Sequence, residues 1–299
     1  MPKYDEYEKL TLKKFNVNWM KKNSLILIYG KRASGKSFLL RDIFYKFKQI
    51  PYGVVFSGTE ELNSFFGKFI PPSLIYDHYD SEIIEKVLHR QKIKVKQAKA
   101  EGYKDGLSPK NNCFLVLDDC LDDKKWKLEK TIRTIFFNGR HYNLLLFLTM
   151  QFPMGIGPEL RAQLQYVFIF FDNNLQNRRK LYDNYAGFIP DFKMFCNILD
   201  DCTKNHECLV IRNDIKSTKL DELLFYYKAK DHGDFRVGSP ALWKLHDESF
   251  NEHYDSDNDK QKEEIIDRIK NVGSKKFKTY VVKDNKIKKY SDSETDTDD

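Results

Sequence analysis

Residues 30–37, GKRASGKS, constrain this chain more than any other stretch. They follow an apolar run from Leu25 to Tyr29 and match the pattern GxxxxGK[ST]. Gly30 and Gly35 permit backbone angles and a closeness of approach that a Cβ would obstruct. The amides of Lys31, Arg32, Ala33 and Ser34 between them can then turn inward as a nest for a phosphate. Lys36 can reach β- and γ-phosphates, and the Ser37 hydroxyl can ligate Mg²⁺. Phe38, Leu39, Leu40, Ile43, Phe44 and Phe47 continue at helical spacing, so a helix is expected to aim its positive N-terminal end at the same anion. A glycine-rich turn with a surface lysine would explain neither the strand before nor the helix after. The expected nucleotide-binding set is Gly30, Lys31, Arg32, Ala33, Ser34, Gly35, Lys36, Ser37 and Phe38.

A second landmark is NNCFLVLDDCL, residues 111–121. An apolar strand, Cys113 to Leu117, runs directly into two carboxylates. Asp118, at the strand tip, is expected to orient water on Mg²⁺. Asp119 stands beside it, where a catalytic base or water-positioning carboxylate is needed. Acidic turns are common, so the pair gains weight only because a phosphate loop precedes it. A third apolar strand, LLLFLTM over 144–150, ends in Gln151. A polar side chain at such a tip can sense the γ-phosphate or hold the attacking water; the plainer role is a helix cap or a loop hydrogen bond.

Two further apolar runs, GVVFSG at 53–58 and YVFIFFD at 166–172, bring the buried strands to five. Helical or loop segments separate them. The expected fold is therefore α/β, a mainly parallel sheet with helices on both faces. Helices are expected from the phosphate loop to about residue 49, over 60–66, 83–104 and 127–137, from Pro158, and over 174–185 and 191–201. Pro71-Pro72 is expected to exclude regular structure. Runs at 208–212 and 223–228 read as strands that extend a sheet edge or pair as a hairpin. Residues 1–23 read as a charged lead-in that packs on the sheet edge or on a neighbour. Residues 24–246 form the expected P-loop domain, and 247–299 a mobile charged tail with a short helix at 255–271.

The hydrophobic fraction of 41% suffices for one core of this size. No run approaches the roughly eighteen apolar residues of a spanning helix, and the N-terminus lacks the apolar centre of a secretory signal. An intracellular protein is expected. Five cysteines, an odd number in a long chain, argue against a disulfide framework. Cys196, Cys202, His206 and Cys208 lie close together but without the paired spacing of common zinc sites. The net charge is +7 although the last nine residues carry five acidic groups. So basic a body suits a polyanionic partner. Lys86, Arg90, Lys92, Lys94, Lys96 and Lys99 on the helix at 83–104 could face DNA, or form an ordinary solvated face.

The order of parts, namely loop strand, second strand, Asp-Asp strand and Gln-tipped strand, resembles that of the additional-strand P-loop ATPases of RecA/FtsK type. In that group the polar-tipped strand lies between the loop strand and the Asp strand. GKRASGKSFLL, FLVLDDCL, FFNGRHYNLLLFLTMQFPMGIGPELRAQLQYVFIF and FCNILDDCTKNHECLVIRN together resemble the DNA-packaging ATPases of nucleocytoplasmic large DNA viruses, the poxvirus type, a branch of the FtsK–HerA superfamily. The resemblance covers about residues 22–230. It implies an ATP- and Mg²⁺-dependent translocase of double-stranded DNA acting as a homo-oligomeric ring. Capsid or portal-vertex proteins would be further partners, with the host cytoplasm and the virion as locations. It implies Lys36, Asp118, Asp119 and Gln151 as catalytic residues, and an arginine given to the neighbouring subunit's site. Arg140 is the first choice for that arginine and Arg161 the second. Asp118 and Asp119 match the family's Walker B pair; many members of the superfamily carry Asp-Glu there, and the Asp-Asp of this chain leaves the role of Asp119 as base open. Two other functions fit a phosphate loop: a small-molecule or nucleoside kinase, and a nucleotide-gated scaffold without turnover.

Overall fold

The computed structural model describes residues 10–120, 129–249 and 265–268, together with the pairs 282–283 and 286–287. The first nine residues, the acidic end at 291–299 and most of the Lys-rich stretch at 273–290 lie outside the described residues, as does most of the helix expected at 255–271.

Nine strands form one sheet: β1 (Lys13–Lys14), β2 (Leu25–Tyr29), β3 (Tyr52–Ser57), β4 (Ile75–Tyr76), β5 (Cys113–Asp118), β6 (Leu144–Met150), β7 (Tyr166–Ile169), β8 (Glu207–Arg212) and β9 (Leu224–Lys228). Their spatial order is β1-β9-β8-β7-β2-β6-β5-β3-β4. β6 therefore stands between the loop strand β2 and the Asp strand β5, the arrangement expected from sequence. Neighbours pair in parallel except at β7–β8 and β8–β9, so β8 alone runs against the rest. A separate pair, β10 (Val282–Lys283) and β11 (Lys286–Ile287), is antiparallel.

The helices are α1 (Lys36–Phe47), α2 (Glu60–Asn63), α3 (Ser81–Ala100), α4 (Lys130–Asn138), α5 (Pro158–Arg161), α6 (Leu175–Tyr185), α7 (Phe192–Cys202), α8 (Leu220–Leu223) and α9 (Pro240–Ser249). Alternation along the central strands divides the core in two. Leu25, Leu27 and Tyr29 face one way with Leu115, Leu117, Leu146 and Leu148, and α3, α4, α6 and α7 cover them. Ile26 and Ile28 face the other way with Val116, Leu145 and Phe147, and α1 covers them through Leu39, Leu40, Ile43, Phe44 and Phe47. Both faces are buried, which is why the strands read as continuous apolar runs rather than alternating ones.

The lead-in occupies the sheet edge. β1 pairs with β9, and Phe15 sits among Tyr166, Phe168, Phe225 and Tyr227. Several expectations need correction. Pro72 opens a single helical turn, Pro72–Leu74, and edge strand β4 follows at once, because a proline at the first position loses no intrahelical bond. The helix from Pro158 lasts one turn before Gln165 joins the sheet by donating its amide to Leu25 O. α2 stops at Asn63 because Ser64 takes a left-handed conformation. α9 was not foreseen; it is anchored by Leu242 and Trp243, whose Nε1 donates to Val237 O at 2.9 Å. Ile265 and Ile266, inside the stretch expected to be a tail, are buried in the main core. Arg90, counted among the DNA-facing cations of α3, is buried with its guanidinium 4.2 Å from the Tyr52 ring centre. Lys92, Lys96 and Lys99 do face solvent. Among the described residues no helix is long and apolar enough to cross a membrane.

Candidate nucleotide site

The phosphate loop leaves the C-terminal end of β2 and closes at α1, as its spacing requires. Ala33 and Gly35 both take positive φ, 58° and 107°. The left-handed pair folds the chain back on itself. A Cβ on Gly30 would land against Ser34 Oγ and the Phe170 side chain, so the tightness of the turn excludes any larger residue. Ser34 Oγ is enclosed and has no hydrogen-bond partner. An enclosed hydroxyl with no protein partner, in a loop of backbone amides, is suited to donate to an anion.

Lys36 is buried at the first position of α1. Its Nζ donates to Gly30 O at 2.8 Å and to Lys31 O at 3.3 Å, and lies 3.7 Å from Asp119 Oδ2. The ammonium is thus fixed between the loop and the carboxylate pair. Ser37 is exposed and its hydroxyl makes no hydrogen bond among the described residues. Lys31 does not point at the loop's interior. It braces the loop from outside, with Nζ 2.9 Å from Asp172 Oδ1 and 2.5 Å from Asn173 Oδ1. Arg32 is exposed.

Asp172 is a residue that sequence reasoning passed over. It is fully buried and accepts from Tyr29 Oη at 2.5 Å, Asn174 N at 2.7 Å and Asn177 Nδ2 at 2.9 Å. Burial alone would raise its pKa. The donors from Tyr29, Lys31, Asn174 and Asn177 overcome that and hold the carboxyl below its ordinary value. The group ties the end of β2, the loop and the start of α6 together.

On the other side of the loop, β5, β6 and β3 deliver a compact polar cluster. Asp118, at the end of β5, accepts from Thr149 Oγ1 at 2.6 Å and from Ser57 Oγ at 2.9 Å. Asp119 follows with φ 51°, a conformation that aspartate tolerates better than most residues. Its amide donates to Thr149 Oγ1 at 3.0 Å, and its Oδ2 accepts from Gln151 Nε2 at 2.6 Å. The sequence singled out Asp118, Asp119 and Gln151, which the structure brings together; Thr149 and Ser57, which hold them, were passed over. The signal was present: each is the one hydroxyl near the end of an otherwise apolar strand. Burial pushes Asp118 up from its ordinary pKa. The hydrogen bond from Thr149 opposes this, the charge of Asp119 adds to it, and Ser57 and Lys36 oppose it.

The two candidate arginines differ. Arg140 lies in the turn Gly139–Tyr142, before β6 begins. A seven-residue strand is about 23 Å long, so Arg140 is at the far end of the sheet from its own phosphate loop. It is exposed and its guanidinium makes no hydrogen bond or ion pair among the described residues. Arg161 is already engaged: Nη1 donates to Ile156 O at 2.6 Å, and the guanidinium lies 5.9 Å from the Tyr185 ring centre. Cys202 and Cys208 are buried in the core, and among the described residues no group of three or more His, Cys, Asp or Glu could hold a metal.

A phosphate loop after β2, a carboxylate pair after β5 and a polar-tipped β6 between them define an additional-strand P-loop NTPase. The chain belongs to the Poxvirus A32 protein family, whose profile matches residues 12–230. Uncharacterized protein L437 of Acanthamoeba polyphaga mimivirus is 37% identical over 255 residues, 84% of this chain and 88% of that one. Uncharacterized protein 088R of Invertebrate iridescent virus 3 is 38% identical over 207 residues, 69% of this chain and 76% of that one. In fold the chain is similar to the genome packaging NTPase B204 from Sulfolobus turreted icosahedral virus 2, solved in complex with AMP. The TM-score is 0.51 at 16% identity, covering 71% of this chain and all of that one.

Proposed function

We propose that this chain is an ATP-hydrolysing motor that moves double-stranded DNA and packages a viral genome into its capsid. One observation carries the hydrolytic part. Lys36 comes from the start of α1, Asp118 and Asp119 from the end of β5 and Gln151 from the end of β6, yet they converge on one point at the mouth of the phosphate nest. Family membership supports the DNA-packaging part.

The residues divide the work by position. The amides of 31–35 and Lys36 hold the β- and γ-phosphates and take up their negative charge. Asp119, aimed by Gln151 and by Thr149 at its amide, orients the attacking water and accepts its proton. Asp118 and Ser37 offer the oxygen donors that a hard cation requires, so they would hold Mg²⁺, Asp118 through water. When bound, Mg²⁺ neutralises charge on the phosphates. Charge developing on the transferred group needs a further cation, and the free guanidinium of Arg140 is the group to supply it from a neighbouring subunit. On this reading each ATP lies between two copies of the chain, which is why a homo-oligomeric ring is part of the proposal. The ATPase domain is assigned to residues 24–246, with β1 and Phe15 packed on its sheet and Ile265 and Ile266 on its core. Capsid or portal-vertex proteins are the further partners, and assembly sites in the host cytoplasm the location.

The test is hydrolysis by two purified variants. Lys36→Ala and Asp118→Ala should each abolish ATPase activity while the thermal transition is retained. An unchanged rate in either variant would defeat the assignment.

A further inference from the structure

A cleft of about 700 Å³ opens on the side of the phosphate loop away from Asp118. Ala33, Gly35 and Phe38 form one wall; Asn205, His206, Lys228 and Ala229 form the other. The sheet explains the meeting. β8 runs against its neighbours, so its first residue, Glu207, and the last residue of β9, Lys228, pair at the same end of the sheet as the loop. The turn entering β8 holds Asn205 and His206 at φ 53° and 61°, two consecutive left-handed residues without a glycine. Such backbone is costly and tends to persist where it positions side chains for use. The side chains of Asn205, His206 and Lys228 make no hydrogen bond or ion pair among the described residues. Phe38 leaves an apolar ring 44% exposed beside the most polar loop of the chain.

We propose that this cleft receives the base and ribose of the nucleotide, and that the base is adenine. The proposal rests on the nucleotide-site reading above and extends it. The size falls in the ordinary range for small-molecule sites. The Phe38 and His206 rings offer faces on which a base can stack. The Asn205 amide presents a donor beside an acceptor, the complement of the amino group and ring nitrogen of adenine. Lys228 donates to the ribose hydroxyls. Base and γ-phosphate would then lie on opposite sides of Gly35, one toward β8 and β9, the other toward β5 and β6, as an extended nucleotide requires. His206 thereby has a use that its place in the Cys196–Cys208 cluster did not suggest.

The test compares ATP with inorganic tripolyphosphate, each with Mg²⁺, on the full chain. Tripolyphosphate has the phosphates and no base. Phe38→Ala and His206→Ala should each weaken ATP binding about tenfold and leave tripolyphosphate binding unchanged, which also shows that the loop is folded. Asn205→Ala should lower the preference for ATP over GTP. Lys36→Ala should weaken both ligands. Equal loss of ATP and tripolyphosphate in the Phe38 and His206 variants, or no loss of either, would overturn the base assignment and leave the phosphate loop standing. No effect of Lys36→Ala on either ligand would overturn the nucleotide site itself, and the base site with it.

Discussion

Thr149→Val keeps the shape of a fully buried side chain at the end of β6 and deletes one hydroxyl. That hydroxyl donates to Asp118 Oδ1 and accepts from the Asp119 amide. A hydrogen bond to a charged group contributes about 1.5–3 kcal/mol, and a central value of about 2 kcal/mol is expected for the loss. In a domain of this size that corresponds to a fall in Tm of about 4–8 °C. The sign of the pH effect follows from Asp118. Burial already raises its pKa and the Thr149 hydrogen bond opposes the rise, so deleting the hydroxyl moves the pKa further up. The hydroxyl stabilises the ionised carboxylate. The stability loss is therefore full above the folded-state pKa of Asp118 and shrinks as the pH falls through it. The acid limb of kcat/KM for ATP hydrolysis should shift to higher pH, and kcat should drop because Asp119 loses the bond at its amide. The assays are thermal unfolding and hydrolysis rates across a pH series. An acid limb and a Tm that both stay where they are in the parent would refute the role given to Thr149.

Arg140→Ala should lower hydrolysis by about a thousandfold or more if the guanidinium completes a neighbour's site. Mixing Arg140→Ala with Lys36→Ala chains should then restore part of the activity, since some interfaces regain both groups; no recovery at any mixing ratio would rule out a role in trans. Gly53→Ala should destabilise the fold by about 1–3 kcal/mol, because the added Cβ falls inside contact distance of the Phe114 ring on the paired strand. A thermal transition unchanged by that methyl would show that β3 and β5 can part more readily than their burial suggests.

The phosphate loop, the five central strands and the carboxylate pair were legible because each is dictated locally. The loop needs glycines at fixed spacing, and a strand buried on both faces must be apolar throughout. Gln151 was legible because a polar residue ending such a strand is conspicuous. Thr149 and Ser57 were not, since a hydroxyl near a strand end carries no periodic signal; only the pairing of β3, β5 and β6 in register brings both to Asp118. Asp172 was hidden for the same reason: its partners are Tyr29, Lys31, Asn174 and Asn177, and two of these are more than a hundred residues away. The basic pattern of α3 misled at Arg90, because charge at one position does not reveal that a tyrosine from β3 lies over it. The antiparallel placement of β8 could not be read from its composition, yet it is what sets Asn205 and His206 beside the loop.

ATP hydrolysis by the purified chain, with and without double-stranded DNA and over a series of salt concentrations, tests the motor assignment most directly. Stimulation by DNA is expected, strongest at low salt and falling steeply as salt displaces the phosphate contacts. A rate indifferent to DNA at low salt, in a preparation that hydrolyses ATP, would contradict the assignment and leave a P-loop ATPase with another task.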